Sequence, residues 1–178
     1  MHENIERVLI DEKSLKERIA QLGAQISKDY EGQELVVIGL LKGAAYFLTE
    51  LTQHITVPVR IDFIKASSYG SGTTTGKVDI QYDTSRNLAG KNILLVDDVI
   101  DTGLTLKAVG ELLRNRNPKT LKVAAMLDKK ERRLVKVLPD YAGFEIPDEF
   151  VVGFGLDYDE EYRNLPFIGI LKRSVYEK

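Results

Sequence analysis

The chain has no cysteine and no tryptophan, and only two histidines, among its 178 residues. Without cysteine there is no disulfide framework, no thiol nucleophile and no Cys-ligated metal, an absence that fits a reducing compartment. His2 sits at the terminus, and the ordinary place for His54 is a partly exposed helix end. That pair supplies neither a Ser-His-Asp hydrolase nor a histidine-rich zinc site. No apolar run approaches spanning length and the N-terminal MHENIERVLIDEKS is charged throughout, so neither a signal peptide nor a membrane helix is expected. No sign of charge dominates: 25 Lys plus Arg stand against 27 Asp plus Glu. No global basic field therefore draws nucleic acid or anionic membrane, and any anionic ligand must be met locally.

The length suits one domain, 1–178, with a core of its own. Ser14-Leu15-Lys16-Glu17 has capping-box form, and Leu15, Ile19, Leu22 and Ile26 recur at helical spacing, which predicts a helix from about Leu15 to Tyr30. ELVVIGL then reads as a buried strand, Gly43-Ala44-Ala45 opens a helix toward His54, and VPVRIDFIKAS is a long strand rich in β-branched residues. After a Gly/Ser/Thr loop at 67–77 come a short strand VDIQY, the strand NILLV, a helix from about Leu104 to Asn115, and the strand LKVAAML. Helices alternating with continuous apolar strands imply an α/β fold, a mostly parallel sheet flanked by helices on both faces. Beyond residue 130 the rhythm breaks into short strands, GFEI, FVVGFG and FIGIL, expected to form a small subdomain over the sheet.

The chemistry concentrates in ILLVDDVIDTGLT, Ile93 to Thr105. Ligands of open α/β sheets sit beyond the carboxyl ends of the strands, and Asp97 stands where NILLV stops. Successive side chains of an extended backbone face opposite ways, so Asp97 and Asp98 suit two hydroxyls of a sugar diol better than one shared atom. From Asp101 to Thr105 the chain turns into a helix. Gly103 is free to take positive φ, and exposed amides with the hydroxyls of Thr102 and Thr105 make a nest for a phosphate. A diol site beside a phosphate site describes a ribose 5-phosphate. The plainer alternative is that Asp98 or Asp101 caps the helix and the other acids are solvated. A Walker-type triphosphatase lacks support because GxxxxGK[ST] is absent. A receiver domain around magnesium does not follow its acids with Thr-Gly-x-Thr.

Val96-Asp97-Asp98-Val99-Ile100-Asp101-Thr102-Gly103-Leu104-Thr105 resembles the 5-phosphoribosyl-1-pyrophosphate motif of the type I phosphoribosyltransferases. GLLKGAAYF, ASSYGSG, LDKKERR and GFEIPDEFVVGFGLDYDEEYRNLP are similar to the 6-oxopurine branch of that family, the bacterial hypoxanthine (guanine) enzymes. The resemblance spreads over most of residues 35–170 and implies a phosphoribosyltransferase fold, with a hood built from the N-terminal segment and roughly 130–178. It also implies purine salvage: transfer of the 5-phosphoribosyl group to N9 of hypoxanthine or guanine, with pyrophosphate leaving and Mg²⁺ as the cofactor.

Residue by residue, the resemblance gives the ribose diol to Asp97 and Asp98, and the 5-phosphate to Asp101, Thr102, Gly103, Leu104 and Thr105. Asp101 is also the general acid/base at purine N7. Many relatives have Glu-Asp where this chain has Asp97-Asp98, which shortens the reach of Asp97 by a methylene. Lys42 and Gly43 match a pyrophosphate loop that carries a cis peptide before the lysine; by themselves they read as a strand-to-helix turn with room for an anion. Ser68 and Tyr69 match the Ser-Tyr pair of a closing lid, a device that keeps water from the developing ribosyl cation. Lys129 matches the purine-O6 contact, with Lys130 as the neighbouring alternative, and a donor-only side chain suits an oxo group over an amino group. Phe150 matches a ring that stacks on the base and Val151 a backbone contact to it, although both also read as core residues of a strand. Asp157 matches a magnesium ligand, with Asp97 and Asp98 as further candidates, and Arg163 matches a residue near pyrophosphate. The acids after Asp157 also suit a helix N-terminus. The expected partners are therefore small molecules, 5-phosphoribosyl-1-pyrophosphate and a 6-oxopurine. A homodimer or homotetramer in the cytoplasm is expected. A regulatory RNA-binding protein on the same fold is the competing reading, carried by the basic stretch DKKERRLVK.

Overall fold

A computed structural model describes residues 3–68 and 78–177 of the chain. Its frame is a six-stranded sheet made of β2 (Leu35–Leu41), β3 (Val59–Ser68), β4 (Val78–Tyr82), β5 (Asn92–Ile100), β6 (Thr120–Asp128) and β7 (Tyr141–Glu145). Their spatial order is β4-β3-β2-β5-β6-β7, parallel throughout except for β4, which runs antiparallel to β3 at one edge.

The continuous apolar runs follow from cover on both faces. Val37, Leu94, Val96 and Ala124 point to one side, against Leu15, Ile19, Leu22 and Ile26 of α1 (Glu12–Asp29) and Phe47, Leu48 and Leu51 of α2 (Ala44–Gln53). Val36, Ile38, Ile93 and Leu95 point to the other, against Leu106, Val109 and Leu113 of α3 (Leu104–Arg114). Each buried side chain of this kind contributes about 1.5–3 kcal/mol relative to exposure, so neither helix layer can be peeled off cheaply. His54 is the C-cap residue of α2 and is half-buried.

Two expectations are corrected. The N-cap of α1 is Asp11, whose Oδ1 accepts from the Ser14 amide at 2.7 Å, so Ser14 lies inside the first turn and the helix begins three residues earlier than the capping box implied. Aspartate caps as well as serine does, and the earlier cap leaves the whole apolar stripe helical. The strand GFEI does not belong to a separate subdomain: β7 pairs parallel with β6, Leu127 facing Phe144, as an edge of the main sheet. Ile5–Ile10, to which the sequence assigns no element, forms β1, which pairs antiparallel with β9 (Ile168–Leu171), itself paired with β8 (Val151–Val152). That three-stranded sheet buries Ile5, Val152, Tyr162 and Leu171.

The order of strands places a crevice. From β2 the chain crosses through α2 to β3 on one side, whereas β5, on the other side of β2, sends its connection through α3 to β6. The loops that leave β2 and β5 thus diverge, and a ligand can enter between them at the switch point.

Candidate active site

Pairing of β5 with β2 ends at Gly39 opposite Val96, while its pairing with β6 continues through Asp97, Val99 and Ile100. The strand therefore runs through the acids instead of stopping before them. Beyond Val96 it is held from one side only, and the freed side opens the crevice. The resulting cleft, of about 280 Å³, is lined by Lys42, Gly43, Asp97, Asp98, Asp101, Thr102, Gly103, Thr105, Asp157 and Arg163, together with apolar residues of β2, β5 and α3. Ten of the residues singled out from sequence thus line one cleft.

Asp97 and Asp98 both reach this cleft despite the alternation of an extended backbone. Asp97 Oδ1 accepts from the Asp98 amide at 3.1 Å and Asp98 Oδ1 from the Val99 amide at 2.8 Å, so each carboxylate is folded back on its own strand end. Burial pushes the Asp97 carboxyl well above the usual carboxylate range, and the neighbouring Asp98 charge adds to it. Asp98 is also raised by burial, against the pull of the Val99 amide and Arg163. A pair of acids in this state favours a ligand that brings hydrogen-bond donors or positive charge.

The turn after β5 is built for an anion. Gly103 has φ +81 and a Cβ there would lie 3.0 Å from both Arg133 Cδ and Val135 Cγ2, so glycine is required on two counts. Thr102 Oγ1 accepts from the Leu104 amide at 3.4 Å, and the remaining first-turn amides of α3 sit at the positive end of the helix. Leu104 itself is not on the cleft wall. Asp101 Oδ2 lies 3.3 Å from Arg132 Nη1, whereas its Oδ1 is buried with no hydrogen-bond partner among the described residues.

On the opposite wall the peptide between Leu41 and Lys42 is cis, as the resemblance implied. Gly43 packs against the Asp98 carboxylate so closely that a Cβ would stand 1.6 Å from Oδ2. Lys42 Nζ is paired with Glu160 at 2.8 Å. Arg163 binds Asp157 Oδ1 at 2.9 Å and donates to the Gly155 carbonyl at 2.6 Å, and its Nε is buried without a partner among the described residues. Asp157 Oδ2 accepts from the Glu160 amide at 3.0 Å. The acids after Asp157 do not open a helix: Tyr158 and Glu161 pair backbone to backbone in a tight hairpin, at 3.0 and 3.3 Å. Among the described residues no three His, Asp or Glu side chains converge as a metal cage, so Asp97, Asp98 and Asp157 line the cleft without forming a cluster.

Lys129, Phe150 and Val151 lie off this wall. Lys129 is buried, and its Nζ donates to the Glu149 carbonyl at 2.6 Å, while Lys130 is exposed and paired with Glu145 at 2.5 Å. Burial holds the Lys129 ammonium below its ordinary range, against the pull of Asp101 and Asp148. Its amide donates to the Ile100 carbonyl at 3.0 Å, next to Asp101. The Phe150 ring is stacked on Tyr176 at 4.7 Å and meets Tyr158 edge-on, and Val151 is buried in β8. Ser68 ends β3, opposite Val78. Tyr69 lies outside the described residues.

Three contributors escaped the sequence reading. Arg132 pairs with Asp101, Glu160 pairs with Lys42, and Arg133 donates to the Asp101 carbonyl at 3.1 Å while binding Asp128 and the Val137 carbonyl, which braces the phosphate turn from behind. All three lie inside the matched segments LDKKERR and GFEIPDEFVVGFGLDYDEEYRNLP, but nothing local says which partner each would meet. Within the basic stretch on which RNA binding rested, Lys129, Lys130, Arg132 and Arg133 each meet a carboxylate or carbonyl of the chain.

Comparison with known proteins agrees in sequence and in fold. The family model "Phosphoribosyl transferase domain" matches residues 9–159. A hypoxanthine-guanine phosphoribosyltransferase of Lactococcus lactis subsp. lactis is 48% identical over 98% of this chain and 95% of that protein. One of Streptococcus pneumoniae is 44% identical over 99% of this chain and 98% of its own. The crystal structure of a hypoxanthine phosphoribosyltransferase from Staphylococcus aureus, 44% identical, superposes with a TM-score of 0.96 over 100% of this chain and 97% of that one.

Proposed function

The chain belongs to the phosphoribosyltransferase family, and on that premise we propose that it is a purine-salvage enzyme which transfers the 5-phosphoribosyl group of 5-phosphoribosyl-1-pyrophosphate to N9 of hypoxanthine or guanine. The products are IMP or GMP and pyrophosphate. The observation that carries this reading is the single cleft at the switch point, where two acids, a phosphate nest and a cationic loop face one another.

In the reaction, Asp97 and Asp98 accept from the ribose hydroxyls, and the turn Asp101 to Thr105 holds the 5-phosphate by its amides and by the Thr102 and Thr105 hydroxyls. Lys42, Gly43 and Arg163 hold the pyrophosphate, and Ser68 with Tyr69 closes over it. Lys129 donates to the purine O6, Phe150 offers a ring face to the base and Val151 its backbone. Asp101 takes or gives the proton at N7, a role supported by its buried, unpartnered Oδ1 beside the cleft.

Magnesium suits the donor set. Asp157 supplies one carboxylate on the cleft wall with Asp97 and Asp98 nearby, and a cation that keeps its waters and shares substrate oxygens needs no protein cage. When bound it would neutralise charge on the leaving pyrophosphate.

We take the whole chain, 1–178, as one catalytic domain with the small sheet as its hood, acting in the cytoplasm as a homodimer or homotetramer. Among the described residues no helix is long and apolar enough to cross a membrane. Pyrophosphate release measured separately with hypoxanthine, guanine, xanthine and adenine tests the activity. Release with 6-oxopurines and not with adenine is expected, and no release with any of the four overturns the reading.

A further inference from the structure

Glu160 occupies an unusual place. It sits in the hairpin after Asp157, in which Asp159, Glu160 and Tyr162 all have left-handed backbone, with φ of 50, 65 and 74°. Such conformations are costly for residues with a Cβ and persist where the surroundings enforce them. The hairpin delivers the Glu160 carboxylate to Lys42 Nζ at 2.8 Å and to Arg163 Nη2 at 3.4 Å. The bond from Lys42 holds the Glu160 carboxyl below its usual range.

Stability does not account for the arrangement. Both members of the Lys42–Glu160 pair are more than half exposed, at 53% and 62%, and pairs of that kind contribute little to folding. What distinguishes the pair is its members: Glu160 holds the two cations assigned above to pyrophosphate, with oxygens of the same charge and hydrogen-bonding character as phosphate oxygens.

We propose that Glu160 is a displaceable stand-in for pyrophosphate, a resident carboxylate that neutralises Lys42 and Arg163 while the subsite is empty and competes with pyrophosphate for them. The inference rests on the assignment of Lys42 and Arg163 under the proposed function. Its consequence is a specificity-determining residue that lowers affinity for the leaving group and so hastens release of product. Asp157 differs from it in kind, because one of its oxygens is fixed by a backbone amide and stays in place.

Glu160→Gln keeps the shape and removes the charge. Calorimetric titration with inorganic pyrophosphate at fixed magnesium should give a Kd about 1.5- to fivefold lower than that of the unaltered chain, the size of a lost surface-pair competition. IMP affinity, read in the same way, should hardly change. Glu160→Ala should move pyrophosphate affinity in the same direction, which guards against a folding defect in one variant. Unchanged or weaker pyrophosphate binding in folded variants overturns the proposal. If the unaltered chain binds no pyrophosphate at all, the assignment of the cleft itself falls.

Discussion

Gly43→Ala tests the packing of the cleft most directly. Gly43 has φ −57 and ψ −43, an ordinary right-handed conformation, so alanine meets no backbone strain there. Gly43, as the N-cap residue of α2, gains no interior helix propensity from alanine. The obstacle is Asp98: the new Cβ would stand 1.6 Å from Oδ2 and 2.6 Å from Cγ. Restoring ordinary contact requires the carboxylate to move by roughly 1.5–2 Å. That motion breaks its bond from the Val99 amide, at a cost of about 1 kcal/mol. That single term lowers Tm by about 2–4 °C. Activity suffers far more, because a displacement of about 1 Å at a reacting group costs on the order of 10² in rate. Pyrophosphate release should therefore fall about a hundredfold in a protein that melts almost normally. Asp98→Ala removes the obstacle, so adding Gly43→Ala to it should cause little further loss of activity, and the two changes should be strongly non-additive. Full activity in Gly43→Ala, or simple additivity in the pair, would refute the argument that Gly43 exists to admit the Asp98 carboxylate.

Three other outcomes are expected. Asp101→Asn should lower kcat by about 10² to 10⁴ with the KM for 5-phosphoribosyl-1-pyrophosphate little changed, and an unaffected kcat in steady-state assays refutes its acid/base role. Lys129→Met removes a donor and a buried charge, so the KM for hypoxanthine should rise about 10- to 100-fold while thermal stability holds or improves; a normal KM would show that Lys129 is structural. Tyr141 joins α1 to the sheet, donating to Asp29 at 2.7 Å and accepting from Lys122 at 3.0 Å. Burial raises its hydroxyl pKa, and its bond raises that of Lys122. Because both folded-state values lie above the unfolded ones, near 10, the stability is present below about pH 10 and is lost as pH rises beyond it. Tyr141→Phe should cost about 1 kcal/mol at pH 7, and denaturant melts should show that gap closing above pH 10; a constant gap would be contrary to the linkage.

The boundaries that were misjudged share a cause. Asp11 and Ser14 are both good caps, and local preference cannot choose between them until the apolar stripe of α1 is docked on β2 and β5. The strand β5 was expected to stop at Val96 because acids rarely belong in a buried strand. It continues because β6 still pairs with it there, while β2 has turned away into the cis peptide and Gly43. Ile5–Ile10 alternates too poorly to stand out as a strand; its order comes from β9, more than 150 residues later.

The layers, the parallel sheet and the motif from Val96 to Thr105 are legible without coordinates, since these rest on period, apolar runs and turn chemistry that act over a few residues. From Gly103 alone a left-handed turn at the phosphate nest could be read. Tertiary structure alone decided which charges meet. Arg132 with Asp101, Glu160 with Lys42, and Gly43 with Asp98 are contacts between segments 31 to 118 positions apart, and no local rule relates them. They exist because divergence of the β2 and β5 connections brings those segments to one crevice, where short-range electrostatics and close packing take over.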